Sequence, residues 1–391
     1  MPPRSRERAR ARALAVALAL TSTLIAGCGA ASSGTSSVTI SGKRLTVYLS
    51  APAGAASNPQ IQDVLEAEQL AWSQHAQEVT AFKLQLKSIT AAKLSDNGRT
   101  AISDTKAIAY LGEIAPGNSA DSAGITNAQD LLMVSATDTA LELTQKTAAI
   151  SGAPNRYFES LSTYGRTFAR VVPSSAAEAK AQVQEMQKLG VKQLYIGNDG
   201  SPYGAALALA VKQAAAPSIT VATSQSAADA FFYGSDSAAT AAHAFSTATT
   251  TNPNLKLFGP SALATPALVA GLGSAKNVYI STPGFLPANL TPAGQQFVSA
   301  FKATYHHTPV PGAIFGYEAM SAVLGVLHEA GSGANNRQTV VKDFFALRNP
   351  PSSVLGSYAI NASGDTSAAP FVFSRPTAGA LVPFAFVQPA G

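Results

Sequence analysis

Short apolar segments alternate with amphipathic ones along most of the chain from residue 45 onward. Segments 45–50 and 107–112 have the composition of apolar strands, and segment 82–89 alternates apolar and polar residues as a half-buried strand does. Between them, residues 60–76 place their apolar side chains on one face of a helix. Segment 130–136 predicts a further apolar strand.

The same alternation returns in the second half. Residues 176–190 predict a helix that ends at Gly190, followed by a buried strand over 191–197 and a helix over 202–216. Strands that alternate with helices are typical of parallel sheets covered by helices on both faces. Two such blocks in 391 residues predict an α/β fold with two doubly wound lobes. In such sheets, ligands bind beyond the carboxyl ends of the strands.

The first 27 residues have the pattern of an export signal. Five arginines and one glutamate precede a short apolar run and a group of small residues. The segment ends in Ile25-Ala26-Gly27-Cys28, which resembles the lipobox of bacterial lipoprotein precursors. By that resemblance, a signal peptide of residues 1–27 is removed, Cys28 is lipidated, and the protein is anchored to the outer face of the cytoplasmic membrane. The alternative is a plain secretory signal with an incidental cysteine.

Removal of that segment would leave a nearly neutral protein. The whole chain has a formal net charge of +5, and the arginines and the glutamate before Cys28 account for +4 of it. The basic character therefore does not indicate a nucleic-acid-binding surface. Cys28 is the only cysteine, so no intrachain disulfide can form. Small and polar residues follow it, and we predict a flexible tether over 28–42.

The sequence lacks the common catalytic motifs. It has no G-x-x-x-x-G-K-[ST] phosphate loop, no G-x-S-x-G nucleophile elbow and no pair of carboxylates at a spacing that suggests acid–base chemistry. His306 and His307 are adjacent, so on a helix they would point about 100° apart and could not share a metal ion. We therefore predict a binding protein rather than an enzyme, with no cofactor and no bound metal.

Small polar residues follow the predicted strands, at the edge where a ligand would bind. They are Gly117, Asn118, Ser119, Asp138, Thr139, Tyr203, Ser235, Asp236, Ser237 and Ser261. Such residues at helix N-termini leave backbone N–H groups free to bind an anion such as a carboxylate. Each loop alone could be a helix cap. Five loops at the same sheet edges favour a ligand site in the cleft between the lobes.

Four segments carry a resemblance to a known family. They are DLLMVSATDTALELT (130–144), YFESLSTYGRTFARVVP (157–173), VKQLYIGNDGSPYGAALA (191–208) and GYEAMSAVLGVLHEAG (316–331). In order and spacing they resemble the type I periplasmic binding proteins. Within that group, the resemblance is to the branched-chain amino-acid (Leu/Ile/Val) binding proteins of ABC importers, and it covers nearly all of residues 43–391.

The resemblance implies an architecture and a role. The first lobe would comprise 43–170 plus 283–357 and the second 171–282 plus 358–391, joined by a hinge of three crossings. A ligand held between the lobes would favour the closed state, which docks on a membrane permease. We expect a monomer whose partners are a small molecule, the membrane through its lipid anchor and an ABC permease, with no nucleic acid.

The resemblance also suggests roles for individual residues. The loop Gly117-Asn118-Ser119 corresponds to the loop that holds the carboxylate of an amino acid. Thr139 corresponds to a threonine that contacts both carboxylate and ammonium, with Asp138 beside it. Tyr203 corresponds to a second-lobe tyrosine, and Ser235, Asp236 and Ser237 lie where the family often has another tyrosine. Tyr317 and Glu318 belong to the Tyr-Asp/Glu-Ala helix motif.

One position departs from the family pattern. Ser261 stands where the amino-acid binders commonly have a glutamate that pairs with the ligand's ammonium group. A buried ammonium needs a paired carboxylate or an equivalent set of acceptors. With serine here, the counter-charge is missing unless Asp138, Asp236 or Glu318 supplies it. The ligand is therefore predicted to be an amino acid, an amide or a carboxylate. A ligand-sensing receptor on the same fold, or an envelope lipoprotein without a small ligand, are the alternative functions.

Overall fold

Two β-sheets organise the residues that the computed structural model describes, which are 37–273 and 275–389. The predicted signal peptide, residues 1–27, and the predicted lipidation site, Cys28, lie outside the described residues. So does the first part of the predicted tether.

The strands of the first sheet come from the first half of the chain. They are β1 (Arg44–Pro52), β2 (Lys83–Ala91), β3 (Ala107–Leu111), β4 (Leu132–Ser135) and β5 (Phe168–Arg170). Their order is β2-β1-β3-β4-β5, and every described pair is parallel. β3 and β4 are buried at every residue. Burial on both faces explains why their sequences are continuous apolar runs rather than alternating ones.

The strands of the second sheet lie later in the chain. They are β6 (Gln193–Asn198), β7 (Thr220–Val221), β8 (Ala230–Gly234), β9 (Lys256–Gly259), β10 (Val278–Pro283), β11 (Phe371–Thr377) and β12 (Ala380–Val387). Their order is β12-β11-β10-β9-β8-β6-β7. The pairs among β6 to β10 are parallel, and β11 and β12 add an antiparallel hairpin at one edge.

Helices connect the strands. They are α1 (Pro59–His75), α2 (Leu94–Ser103), α3 (Ala120–Asn127), α4 (Leu161–Tyr164), α5 (Ser175–Lys188), α6 (Pro202–Ala215), α7 (Ala238–Thr251), α8 (Pro266–Gly271), α9 (Pro292–Tyr305), α10 (Ala313–Ala330) and α11 (Arg337–Phe345). Thr291 caps α9 by accepting a hydrogen bond from Gly294 N at 2.9 Å, with Pro292 as the first helical residue. Threonine at the N-cap and proline at the first helical position are both common at helix starts. No helix of the described part of the chain has the length and apolar character needed to cross a membrane.

A close helix pair covers the first sheet. α1 and α10 pack against each other over much of their lengths. Gly316 lies at their closest approach, where a Cβ atom would lie 2.5 Å from the carbonyl oxygen of Val64. The glycine of the Gly-Tyr-Glu motif therefore permits this helix contact, because any other residue would push the two backbones apart.

Part of the predicted tether packs on this lobe. Ile40 is 2% exposed, and its N–H donates to Asn335 O at 2.8 Å. The carbonyl of Val38 accepts a hydrogen bond from Arg337 N at 3.0 Å. From Val38 onward the chain thus lies against the N-terminal end of α11. Any free tether is limited to residues before Val38.

The third passage of the chain between the sheets lies later than residue 358. Tyr358 and Ile360 pack in the same apolar core as α1 and α10, and the chain enters the second sheet only at Phe371. On the way, Gly364 O accepts a hydrogen bond from Arg170 N at 2.9 Å, at the end of β5. Residues 361–370 therefore run beside the first passage, which begins at Val171.

Arg170 connects these two passages. Its side chain is completely buried, and its Nε donates to Asp365 Oδ1 at 2.8 Å. Its Nη1 donates to the carbonyls of Asp138 and Ala140 at 2.9 and 2.8 Å, and its Nη2 contacts Thr144 Oγ1. A buried guanidinium with this set of partners leaves little of its hydrogen-bonding capacity unused.

Replacement of Asp365 tests how strongly this pair stabilises the fold. We expect Asp365→Asn to lower the free energy of unfolding by about 3–5 kcal/mol, because the charge of Arg170 would stay buried without its counter-ion. Urea unfolding followed by circular dichroism measures the change. The control is Asp96→Asn, which removes a carboxylate 3.0 Å from Arg99 in a pair where both side chains are more than half exposed. That change should have little effect; equal losses in both variants would contradict the prediction.

Candidate functional site

A cavity of about 170 Å³ lies between the two sheets, beyond the carboxyl ends of their strands. Its first-lobe wall comes from the start of α1, the turns after β3 and β4, and the start of α10. Those turns contribute Ala115, Pro116, Thr137 and Thr139, and α10 contributes Phe315. The second-lobe wall is the segment after β9, with Ser261, Ala262, Ala264 and Thr265. Val172, Thr282 and Pro283, from the passages between the lobes, complete the cavity.

The cavity is largely apolar and its polar groups are neutral. Among the described residues that line it, none carries a charged side chain. The polar groups are hydroxyls, together with the amides of Asn58 and Gln60. Asn58 also caps α1 by accepting a hydrogen bond from Gln60 N at 3.0 Å. Such a lining suits a small ligand with an apolar body and few polar groups.

Two threonines of the cavity wall, Thr137 and Thr139, have buried hydroxyls. Thr137 Oγ1 and Thr139 Oγ1 are inaccessible to solvent and make no hydrogen bond of normal geometry to any described residue. The Thr139 hydroxyl lies beside that of Tyr203. Because protein atoms cover both oxygens, a ligand in the cavity can reach them only if the side chains rotate.

The carboxyl group of Asp138 lies behind the turn after β3 and accepts hydrogen bonds from its backbone. Its Oδ1 accepts hydrogen bonds from Gly117 N at 2.7 Å and Ala140 N at 3.0 Å, and its Oδ2 accepts one from Ser119 N at 2.8 Å. Burial raises the pKa of the Asp138 carboxyl, against the opposite effect of these backbone hydrogen bonds. The carboxylate therefore occupies the backbone N–H groups of Gly117 and Ser119, which the sequence analysis assigned to a ligand carboxylate.

Glu178 has the equivalent structural role behind the second-lobe wall, where its carboxyl group accepts hydrogen bonds from that wall. Its Oε1 accepts hydrogen bonds from Ser261 N at 2.6 Å and Ser281 Oγ at 2.5 Å, and its Oε2 accepts one from Ser261 Oγ at 3.1 Å. Glu178 is itself fully buried in the first turn of α5. The segment that carries Ser261 is thus fixed to the helix that follows the first passage between the lobes.

Comparisons with known proteins identify the fold. A family model described as "Periplasmic binding protein" matches residues 216–374. A crystal structure of a leucine binding protein from Thermotoga maritima is 20% identical, covers 89% of this chain and 99% of its own, and superposes with a TM-score of 0.70. The chain has the type I periplasmic binding protein fold. This confirms both the predicted resemblance and the predicted fold class of two α/β lobes.

Two further structures with this fold were determined with ligands. A branched-chain amino acid transporter substrate binding protein from Streptococcus pneumoniae, in complex with isoleucine, is 14% identical over 89% of this chain and 100% of its own, with a TM-score of 0.64. A solute binding protein of an ABC transporter from R. palustris, in complex with benzoate, is 15% identical over 89% and 97%, also with a TM-score of 0.64. No curated protein sequence matches the chain.

In this periplasmic binding protein fold, the predicted site residues form three groups: some line the cavity, some lie behind its walls, and the rest lie elsewhere. Thr139 and Ser261 line it. Gly117, Ser119 and Asp138 lie directly behind the first-lobe wall, and Asn118 binds back to Ile114 O at 3.3 Å. Tyr203 is 2% exposed and lies behind the second-lobe wall, with its hydroxyl 3.5 Å from Ser261 Oγ.

The remaining predicted residues lie elsewhere in the fold. Ser235 donates to Asp199 Oδ2 at 2.6 Å, Ser237 caps α7, and Asp236 is exposed between them, so this loop forms a helix cap rather than part of the cavity wall. Glu318 accepts hydrogen bonds from Val354 N and the hydroxyl of Tyr358, both at 2.9 Å, and so fastens α10 to the segment after α11.

Tyr317 faces a second depression on the outer side of the first lobe. Its hydroxyl lies 3.0 Å from His75 Nε2 and 2.5 Å from Gln74 Oε1. Tyr317 and Glu318 line this depression together with His75 and His328. The Tyr-Glu pair of the helix motif therefore makes contacts within the first lobe and lies away from the cavity between the lobes.

Glu178, which binds the segment of Ser261, is a residue that the sequence analysis did not single out. Asp138, Asp236 and Glu318 were the candidates for a counter-charge beside Ser261. Glu178, Gln182 and Glu185 recur at helical spacing in α5 and are all buried. Gln182 Nε2 donates to Gly259 O at 2.9 Å and Ser281 Oγ at 2.7 Å. A polar stripe on an amphipathic helix usually indicates its solvent-exposed face, so the sequence pattern gave no sign that these side chains are buried.

One group of described residues has the spacing of a metal site. The ligand atoms of Asp63, Glu66 and His307 lie within 4.8 Å of one another. His307 Nε2 lies 3.0 Å from Asp63 Oδ1, whose Oδ2 accepts a hydrogen bond from Val310 N. Hydrogen bonding to Asp63 raises the pKa of His307. The group is accounted for as an ion pair that joins α1 to the segment between α9 and α10.

The buried carboxyl of Glu178 should make stability depend on pH. Burial raises its pKa from 4.5 to about 7, despite hydrogen bonds from Ser281 and Ser261. The folded protein then holds the proton more tightly than the unfolded chain does. Stability is therefore fully present below pH 4.5 and declines as the pH rises through about 7. A shift of this size corresponds to about 3 kcal/mol in the free energy of unfolding.

Comparison with Glu178→Gln isolates this effect. Between pH 5 and pH 8 we expect the wild type to lose about 3 kcal/mol of unfolding free energy relative to this variant, as measured by urea unfolding at each pH. Glu329→Gln, which removes the charge of an exposed carboxylate, is the control and should follow the wild type. A constant difference between wild type and Glu178→Gln across this range would show that Glu178 does not titrate there.

Proposed function

We propose that this chain is an extracytoplasmic solute-binding protein that captures a small molecule between its two lobes and delivers it to an ABC-type importer. The observation that carries the proposal is the apolar cavity between the lobes, whose walls come from both lobes and whose described lining residues offer only neutral hydroxyl and amide side-chain groups. Solved structures with the same fold include ABC transporter substrate-binding proteins, which supports the role.

The position of the cavity suits capture by closure. Its walls come from both lobes, and Val172, Thr282 and Pro283 belong to the passages that connect them. A ligand in contact with both walls stabilises the state in which the walls are close, and this differential contact is what drives a population shift. Binding, rather than catalysis, is the function that we infer for the site.

We also propose that the protein is a lipoprotein whose acceptor is Cys28, held at the outer face of the cytoplasmic membrane. The proposal is supported by the sequence Ile25-Ala26-Gly27-Cys28 at the end of an export signal. Two acyl chains hold a protein on a membrane where one chain binds only weakly. Residues 28–36 would then separate the membrane from Ser37, the first described residue, whose hydroxyl contacts Asn336 Nδ2.

Screening of the purified chain against amino acids, amides, alcohols, sugars and aromatic acids by thermal shift tests the binding role. Thr139→Val should bind any hit about tenfold more weakly, which corresponds to the loss of one hydrogen bond. The thermal shift that the hit produces should therefore be smaller or absent in this variant. Thr304→Val, on the exposed side of α9, is the matched control. A hit that binds Thr139→Val and wild type equally would place it outside this cavity.

Metabolic labelling with palmitate tests the anchor. In a bacterial host, wild-type protein should take up the label and partition into detergent, because the thioether to Cys28 is the attachment point. Cys28→Ala should do neither. Ser33→Ala, a change five residues further along the chain, should behave as wild type does. Unlabelled wild type that is released into the medium would favour the plain secretory signal instead.

A further inference from the structure

We propose that the cavity takes an uncharged small molecule with an apolar body and a carbonyl or hydroxyl group, and that it rejects carboxylates and α-amino acids. This inference rests on the proposed function and narrows the ligand of the same site. It departs from the amino acid and the benzoate that occupy two of the similar structures.

In the turn after β3, residues 116–119 offer an anion no free backbone N–H group. Pro116 has no N–H group. The N–H groups of Gly117 and Ser119 both donate to the carboxylate of Asp138, and that of Asn118 donates to Ala115 O at 3.3 Å. The turn has the form of an anion-binding loop, but the protein supplies the anion itself.

The second-lobe wall is similarly occupied. Ser261 N donates to Glu178, and Leu263 N, Ala264 N and Thr265 N donate to carbonyl oxygens of the same segment at 2.9, 3.0 and 2.7 Å. With no cationic side chain among the described lining residues, a ligand carboxylate would be buried without a counter-charge. A negative charge on Asp138 or Glu178, one behind each wall, would add repulsion.

An ammonium group of a ligand would also lack a counter-charge in the cavity. Asp138 and Glu178 are the acids behind the walls, and each already accepts three hydrogen bonds from the protein. Neither of them lines the cavity. An α-amino acid would therefore bring two charges into the cavity and find a counter-charge for neither among the described lining residues.

A neutral polar group finds the partners that it needs. Hydroxyl and amide groups can act as donors or acceptors, and the first-lobe wall contains the hydroxyls of Thr137 and Thr139 and the amides of Asn58 and Gln60. Ser261 and Thr265 place further hydroxyls on the opposite wall. A carbonyl or hydroxyl of the ligand can bind these groups without desolvating a charge.

Calorimetric titration with ligands of matched shape and different charge tests the proposal. The first series is 4-methylpentanamide, 4-methylpentanoate, 3-methylbutylammonium and leucine, and the second is benzamide, benzoate and benzylammonium. We expect the amide to bind at least about tenfold more tightly than any charged member of its series. Tighter binding of leucine, a carboxylate or an ammonium would overturn the proposal.

Hits from the broader thermal-shift screen are then sorted by charge. Neutral hits support the proposal, whereas charged hits that depend on Thr139 overturn it and leave the solute-binding function intact. A screen without hits, with nothing released on denaturation of the protein purified from its native host, would overturn the proposed function together with this inference.

A variant of Asp138 provides an independent measurement. Asp138→Asn removes the negative charge behind the first-lobe wall and replaces one acceptor oxygen by a donor, so that a backbone N–H is released. Benzoate and 4-methylpentanoate should bind this variant more tightly than wild type, by about tenfold or more. Asp130→Asn, a buried acid outside the cavity, controls for the loss of a buried charge and should leave anion binding unchanged. If Asp138→Asn folds but binds the two anions no more tightly than this control does, the assigned role of Asp138 is contradicted. If Asp138→Asn does not fold, the wild-type titration series decides the proposal.

Discussion

The completely buried guanidinium of Arg170 is the interaction on which the architecture depends. It lies at the end of β5, where the chain first leaves the first sheet, and it binds Asp365 on the third passage between the lobes. Its other hydrogen bonds reach the carbonyls of Asp138 and Ala140, on either side of Thr139. One side chain thus fixes two connections between the lobes and the backbone that presents a cavity hydroxyl. A charge can be buried at this position only while all its hydrogen-bond partners stay in place. The hinge and the site are therefore parts of one network.

Acids behind both walls extend this network to the ligand cavity. Asp138 closes the turn after β3, and Glu178 holds the segment that carries Ser261. Thr139 O also accepts a hydrogen bond from Ser175 N at 2.6 Å, so the first-lobe turn is bonded directly to the start of the helix that carries Glu178. The charges that shape the walls are thereby kept out of the cavity. This separation lets a charged framework enclose a cavity without charged lining residues.

Much of the fold could be predicted from local sequence patterns. The apolar runs of β3 and β4 and the Thr291-Pro292 cap of α9 report backbone conformation directly, because each depends on neighbouring residues only. Two lining residues, Thr139 and Ser261, were found because they follow strands. Asn58, Thr137 and Thr282 were missed, since small polar residues are common in loops and nothing in the local sequence shows which of them face a common space.

The sequence alone therefore determined the alternation of strands and helices, the two-lobed fold class, and the small polar residues at the carboxyl ends of the strands. Only the tertiary structure decided which of those residues meet. Asp138 and Ser119 are 19 positions apart, and Glu178 and Ser261 are 83 positions apart. Whether a carboxylate faces the ligand or binds the protein's own N–H groups depends on such pairings. Local periodicity carries no information about them, because they form only when separate strands and helices pack together.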